Sequence, residues 1–486
     1  MSAIIRALAA CLAIAPLACG AVSLDPQGVG QALIFPYYTV RSTDGNAFNT
    51  FVSIANSSAD AKALRVRFRE GRNSREVASF NLFLAPGGIW TGALVPSGDG
   101  ARLVSADQSC TSPAFASAPG SLPFLDFSDA SYAGANADGA GTGLDRTREG
   151  YVEAIEMATL TGASAQQAAF TGTSLATPAN CGALRNAATL ETAAPSGGLS
   201  GTLTVINVDA GRDFTVNADA LANLASRPFY RPIADPYPDF DVTEVDAYST
   251  GIVEGKVYRA TWSRGVDAVS SALIASVIEN EFVIDAATRS RTDWIVTLPT
   301  RRFYGSGTTV AAPFSPPFSD TACPSQEVLL NDLFNREIAF LPVDTAGAFG
   351  APSAPPVALC WSVTTIPMIN GSFFATKGPF GSANALVDFR LHVPSTFQNG
   401  WMRLTLKGSV GIGNFGKIVS RSDSVLMDSA TGTTTTGPLV FTGLPALGFM
   451  ARTFENGTLP CGGFVCQGNY GGGFTHRYSR NVAPAP

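Results

Sequence analysis

Between Ala61 and Leu94 the chain reads AKALRVRFREGRNSREVASFNLFLAPGGIWTGAL, and no other stretch narrows its fold as much. Leu64, Val66 and Phe68 alternate with Arg65, Arg67 and Arg69, the period of two that puts successive side chains on opposite faces of a strand. The polar run at 70–76 turns the chain. Val77 to Leu84 supplies a second strand, and Pro86-Gly87-Gly88 ends it. The expected unit is a long antiparallel hairpin with one apolar and one arginine-rich face. The arginine face is expected to be solvated and balanced by Glu70 and Glu76. Its functional alternative is contact with the carboxylates, sulfates or phosphates of a surface polysaccharide.

The rest of the chain repeats this texture. Hydrophobic residues make up 45% and charged residues 14%, with 49 glycines and 31 prolines, a profile of many short strands joined by turns. The expected fold is mainly β, as antiparallel, sandwich-like sheets with one notable helix near 266–280. That helix is read from Val269, Leu273, Ser276 and Val277 spaced along one face. Gln31–Val40 carries Pro36 and is expected at a sheet edge, open to self-association with another subunit.

Residues 1–21 read as a secretory signal, with Arg6 in the positive region, an apolar run from Ala7 to Ala18 and small residues around Cys19. Cys19 is also a possible lipidation site. No later run is long enough for a transmembrane helix, so the expected address is secreted, periplasmic or cell surface. Residues 22–225 form an N-terminal β-rich region, 226–247 a Pro/acid-rich linker or long connection, and 248–486 a C-terminal β-rich region. The net charge of −6 with no basic tract gives no footprint for nucleic acid.

Six cysteines remain after the signal: Cys110, Cys181, Cys323, Cys360, Cys461 and Cys466. In an exported chain an even count points to three disulfides, and pairing of nearest neighbours is expected. A zinc site of Cys461, Cys466 and His476 would need the thiolates reduced, which export disfavours.

The catalytic candidates are sparse. GTSLATPANCG at 172–182 matches the pattern around the nucleophilic serine of subtilisin-like proteases and would make Ser174 the nucleophile. Both histidines, His392 and His476, follow it, and neither stands in a His-Gly context. The match is therefore read as a chance one in a loop leading to a disulfide cysteine. Glu153 and Glu156, three apart on a strand, point to opposite faces, which argues against a glycosidase pair. The acids Asp235, Asp239 and Asp241, with Glu244 and Asp246, have the oxygen ligands that Ca2+ prefers. The loop with Asp138 and Asp145 is a similar candidate. A solvated linker is the plainer reading, and no cofactor is otherwise implied.

IFPYYTV at 34–40, VRFREGRNSREV at 66–77, NEFVIDAATRSRTDWIVTLPTRRFY at 280–304 and GNYGGGFTHRY at 468–478 resemble a group of uncharacterised exported β-rich proteins of Gram-negative bacteria. The resemblance spans most of the mature chain and implies secretion and a β-rich fold, but no activity. The leading expectation is an exported non-enzymatic structural, adhesive or surface-associated protein. The alternatives are a secreted hydrolase using Ser174 and a carbohydrate- or calcium-binding module.

Overall fold

A computed structural model describes residues 20–41, 46–171, 177–241, 247–306, 309–315, 327–337, 340–343, 357–368, 378–385, 397–406 and 415–486. Residues 1–19, with Cys19, and Ser174, Glu244, Asp246, Cys323 and His392, lie outside these residues. Strands hold 51% and helices 9%, so the fold is mainly β and antiparallel, as the alternation implied.

The hairpin forms as read. Ala61–Glu70 pairs with Glu76–Leu84 in a register running from Lys62 opposite Leu84 to Phe68 opposite Ala78. The Glu70 carboxylate closes the turn by accepting from the backbone N–H of Arg72, Asn73 and Arg75 at 2.8–2.9 Å. The hairpin lies inside an eight-stranded sheet, where Glu149–Leu160 separates it from Ala32–Thr39. A six-stranded sheet centred on Asn49–Asn56 faces it. Leu64, Val66, Phe68 and Phe80 share one core with Val52, Ile54, Trp90 and Leu103, and the Phe80 and Trp90 rings meet across it at 5.3 Å. This is face-to-face sheet packing with alternate residues pointing inward.

Gln31–Val40 is not an edge. Ala32–Thr39 is buried throughout and paired on both sides, with Glu149–Leu160 and with Asp219–Ala222. Pro36 is tolerated because the register slips there: Tyr38 faces Gly150 and Phe35 faces Val152. A bulge is the other place in a sheet where a missing N–H does no harm.

In the second half, a four-stranded sheet has Arg291–Thr297 between Val363–Met368 and Leu447–Cys461. Its Ile295 joins the core shared with the N-terminal sheets, while Trp294 and Val296 join a second core with Ile278, Met402 and Leu404. A strand buried on both faces reads as a continuous apolar run, which is why WIVTL lacks alternation. Phe380 drives into the junction, its ring 5.2 Å from Tyr37, 5.6 Å from Phe48 and 4.8 Å from Phe214.

The helix expected over 266–280 is shorter. It spans Gly265–Leu273, after which Ile274–Ala275 pairs with Leu444–Pro445 and Val277–Val283 becomes a strand. Ile278, Asn280 and Phe282 alternate inward there, a strand period that the helical spacing of Val269, Leu273 and Val277 had masked.

Candidate functional site

The placement of the arginine row corrects the solvated reading. Arg65 and Arg67 are each 1% exposed and Arg69 is 6% exposed. The Pro-rich segment 226–241 runs over them without regular secondary structure. Arg65 donates from Nε to Asn81 Oδ1 at 2.6 Å, from Nη1 to the Asp235 carbonyl at 3.0 Å, and from Nη2 to the Arg231 and Pro232 carbonyls at 3.2 and 2.9 Å. Arg67 donates to the carbonyls of Pro236 and Pro238 and lies 2.8 Å from the Glu76 carboxylate.

The chemistry explains the match. A segment rich in proline keeps its carbonyls but loses N–H groups, so it cannot extend a sheet as a regular strand. A guanidinium has five donors and no acceptor. A row of arginines is therefore a suitable surface on which to dock such a segment. Burial, followed by the nearby Arg69 charge, lowers the Arg67 pKa to about 10. Burial likewise lowers that of Arg65.

Arg69 forms the end of the row. Its Nε donates to Glu153 Oε2 at 2.7 Å, and Arg302 approaches Glu153 Oε1 at 3.3 Å. Burial opposes the Glu153 charge, but Arg69 and then Arg302 outweigh it and hold the carboxyl below its usual range. Glu156 belongs to the other face and binds Lys62 Nζ at 2.9 Å, so the two glutamates are indeed separated by the sheet. Glu149 accepts from Tyr37 Oη at 3.1 Å, Arg41 Nε at 2.7 Å, Ser382 Oγ at 2.6 Å and the Ala383 N–H at 2.9 Å.

The carboxylates considered for calcium also have protein partners. Asp235 accepts from the Tyr237 N–H at 2.9 Å and lies 3.5 Å from Arg231. Asp239 accepts from the Asp241 N–H at 2.9 Å and lies 3.5 Å from Arg302. Asp241 accepts from the Val266 N–H at 3.1 Å and lies 3.9 Å from Arg264. Asp138 binds Arg146 at 2.7 Å, and Asp145 binds Arg41 at 2.9 Å. Among the described residues, no three potential ligands converge to hold a metal ion.

The Cys110–Cys181 disulfide joins the Cys110–Ser112 strand to the short helix Cys181–Leu184, with the Cα atoms 5.2 Å apart. It is the nearest-neighbour pair expected. Cys360 and Cys466 are also disulfide-bonded; the side chain of Cys461 lies outside the described residues. Phe170–Thr171 pairs with Thr177–Pro178, and Ser174, the candidate nucleophile, lies outside the described residues.

His476 is buried with both ring nitrogens engaged, Nδ1 3.1 Å from Asn280 Nδ2 and Nε2 3.0 Å from the Ile295 carbonyl. Burial lowers its pKa to about 3, so it is a neutral core group and has no free nitrogen for zinc.

Sequence reasoning missed Arg302, Glu149 and Trp401. Arg302 and Glu149 carry no local signal, because their partners are distant in the chain. Trp401 does carry one. In WMRLTL, Met402, Leu404 and Leu406 are buried, which leaves a tryptophan on the face that also bears Arg403.

Comparison with known proteins finds no matching protein family, no matching curated protein and no matching solved structure. Among the described residues no helix is long and apolar enough to cross a membrane.

Proposed function

We propose that this chain is an exported, non-enzymatic structural or adhesive protein of the periplasm or cell surface, related to the exported Gram-negative group it resembles. The observation carrying this reading is the use made of reactive side chains among the described residues. Arg65 and Arg67 fasten the 231–238 segment, Glu153 is held between Arg69 and Arg302, and His476 is locked neutral in the core. Catalytic acids and bases need access to substrate and a pKa near the working pH, and these groups have neither. The disulfide-bonded Cys110, Cys181, Cys360 and Cys466 support an oxidising compartment.

Expression of the full chain in a Gram-negative host, followed by fractionation and maleimide labelling, tests the address. The expected product lacks residues 1–21, sits outside the cytoplasm and labels only after reduction. A full-length cytoplasmic chain with free thiols would overturn it. Peptide and ester hydrolysis by the purified protein should match the blank, and an activity lost in Ser174→Ala would replace this reading with the hydrolase.

A further inference from the structure

In the second half, Asn399–Thr405 pairs with Glu327–Asn335 on one side and Val277–Val283 on the other within a six-stranded sheet, and the face opposite Leu333, Met402 and Leu404 carries an aromatic strip. Phe334 and Trp401 are cross-strand partners, their rings stacked at 3.9 Å and 6°. Glu281 is the partner of Trp401 on its other side. The strip continues through charge, because Glu281 lies 3.5 Å from Arg452. The Arg452 guanidinium in turn sits over Phe474 at 4.4 Å and near Phe454 at 5.8 Å. Phe454 stacks on Tyr470 at 5.0 Å and 21°. Tyr470 is 48% and Phe474 42% exposed. Five aromatic side chains thus run from one sheet to the next; three of their strands turn core residues such as Leu333, Met402 and Ala451 to the opposite face, and the fourth turns Gly471 and Gly473 there.

At the Trp401 end lies an open groove of about 600 Å³, lined by Phe334 and Trp401 with Glu281, Asn335, Arg336 and Asn399. Gly400 lies on its floor, where an added Cβ would meet the Phe334 carbonyl at 1.9 Å. The backbones can approach so closely only without a side chain there. Aromatic walls with a few amide and charged groups make a usual small-ligand site, and contiguous exposed apolar surface commonly marks binding.

The charges select the ligand. Arg452 and Arg477 share Glu281 at 3.5 and 3.6 Å, Arg403 pairs with Glu279 at 2.6 Å, and Arg336 pairs with Glu337 at 2.6 Å. Among the described residues, these four arginines each have a carboxylate partner, so the strip offers hydrogen bonds and ring contacts with its cations neutralised. We infer that the Phe334–Trp401 groove and the strip leading to Tyr470 bind a linear, neutral oligosaccharide, with C–H-rich sugar faces against the rings and hydroxyls toward Asn335, Asn399 and Glu281. This site supplies a ligand for the adhesive reading but does not rest on it, since failure to bind sugar would leave the export and thiol results untouched.

Isothermal titration of the full mature protein with cellohexaose and maltohexaose tests the inference, with a hexamer of polygalacturonate as the anionic comparison. Saturable binding of at least one neutral hexasaccharide is expected. Trp401→Ala and Tyr470→Ala, on separate strands, should each weaken it about tenfold, the loss of one aromatic contact of about 1.4 kcal/mol, while Trp401→Tyr retains it. Each alanine variant should stay folded, its thermal midpoint lowered only by the loss of one ring pair, and Tyr470→Ala remains decisive if Trp401→Ala fails to fold. The inference is overturned if neither neutral sugar binds, if only the anionic hexamer binds, or if the folded alanine variants bind like wild type. Self-association in the absence of sugar that Trp401→Ala abolishes would overturn it too, by making a second copy the occupant.

Discussion

Replacing Arg65 with methionine keeps much of the side-chain bulk and removes every donor. Four bonds are lost, to Asn81 Oδ1 and to the carbonyls of Arg231, Pro232 and Asp235. A hydrogen bond from a charged donor contributes about 1.5–3 kcal/mol net, and a buried acceptor left unpaired costs about 1–3 kcal/mol. The three carbonyls are only part-buried, so water recovers some of this. The expected loss is about 4 kcal/mol. Arg65→Lys keeps the charge but not the planar fork and should lose about 2 kcal/mol, roughly half of the methionine value. Urea unfolding of wild type and both variants measures these losses, and limited proteolysis shows where the structure has opened. New cleavage confined to residues 226–241 is expected in Arg65→Met. A loss below about 1 kcal/mol, the level of an exposed charge, with no new cleavage would refute the fastening role.

Three further outcomes follow from the same structure. Replacing both Cys110 and Cys181 with serine opens a loop spanning 71 residues, which should cost about 4 kcal/mol by loop-closure entropy; an unchanged denaturation midpoint would contradict that. Phe380→Ala removes a ring packed among Tyr37, Phe48 and Phe214 and should cost about 3–5 kcal/mol in the same assay, where a loss under about 1 kcal/mol would mean the junction closes without it. His476 has its pKa lowered by burial to about 3 in the fold, against about 6.5 unfolded. Its stabilising contribution is therefore present above about pH 6.5 and declines as pH falls toward 3, by up to about 1.4 kcal/mol per unit. The stability advantage of wild type over His476→Gln should shrink between pH 6.5 and 4, and a constant difference would show that the ring protonates in place.

The strands were legible where one face differs from the other, because alternation is a local property of the chain. Ala61–Glu70 and Glu76–Leu84 follow directly from it. What covers the polar face was not legible, since alternation shows that two faces differ but not that both are buried. The cover for Arg65 arrives 170 residues later at Asp235, and its acceptors are backbone carbonyls that no side-chain pattern marks. Pro36 misled in a different way: proline disfavours an interior strand, and the bulge that admits it is set by Gly150 and Val152 on the partner. The overlong helix arose from apolar spacing that continued past Leu273 into a strand of the opposite period. For the aromatic strip, Trp401 could be read as facing away from Met402 and Leu404, but its continuation to Tyr470 depends on strands brought together from distant parts of the chain.

The central claim is that the arginine row lies inside the protein, committed to holding the Pro-rich segment. Phenylglyoxal labelling of the native protein, followed by peptide mass spectrometry, tests it residue by residue. Arg289 and Arg477, with side chains 77% and 71% exposed, should react readily, while Arg65, Arg67 and Arg69 remain unmodified until urea unfolds the chain. Labelling of Arg65 and Arg67 at the rate of Arg289 in the folded protein would contradict the account.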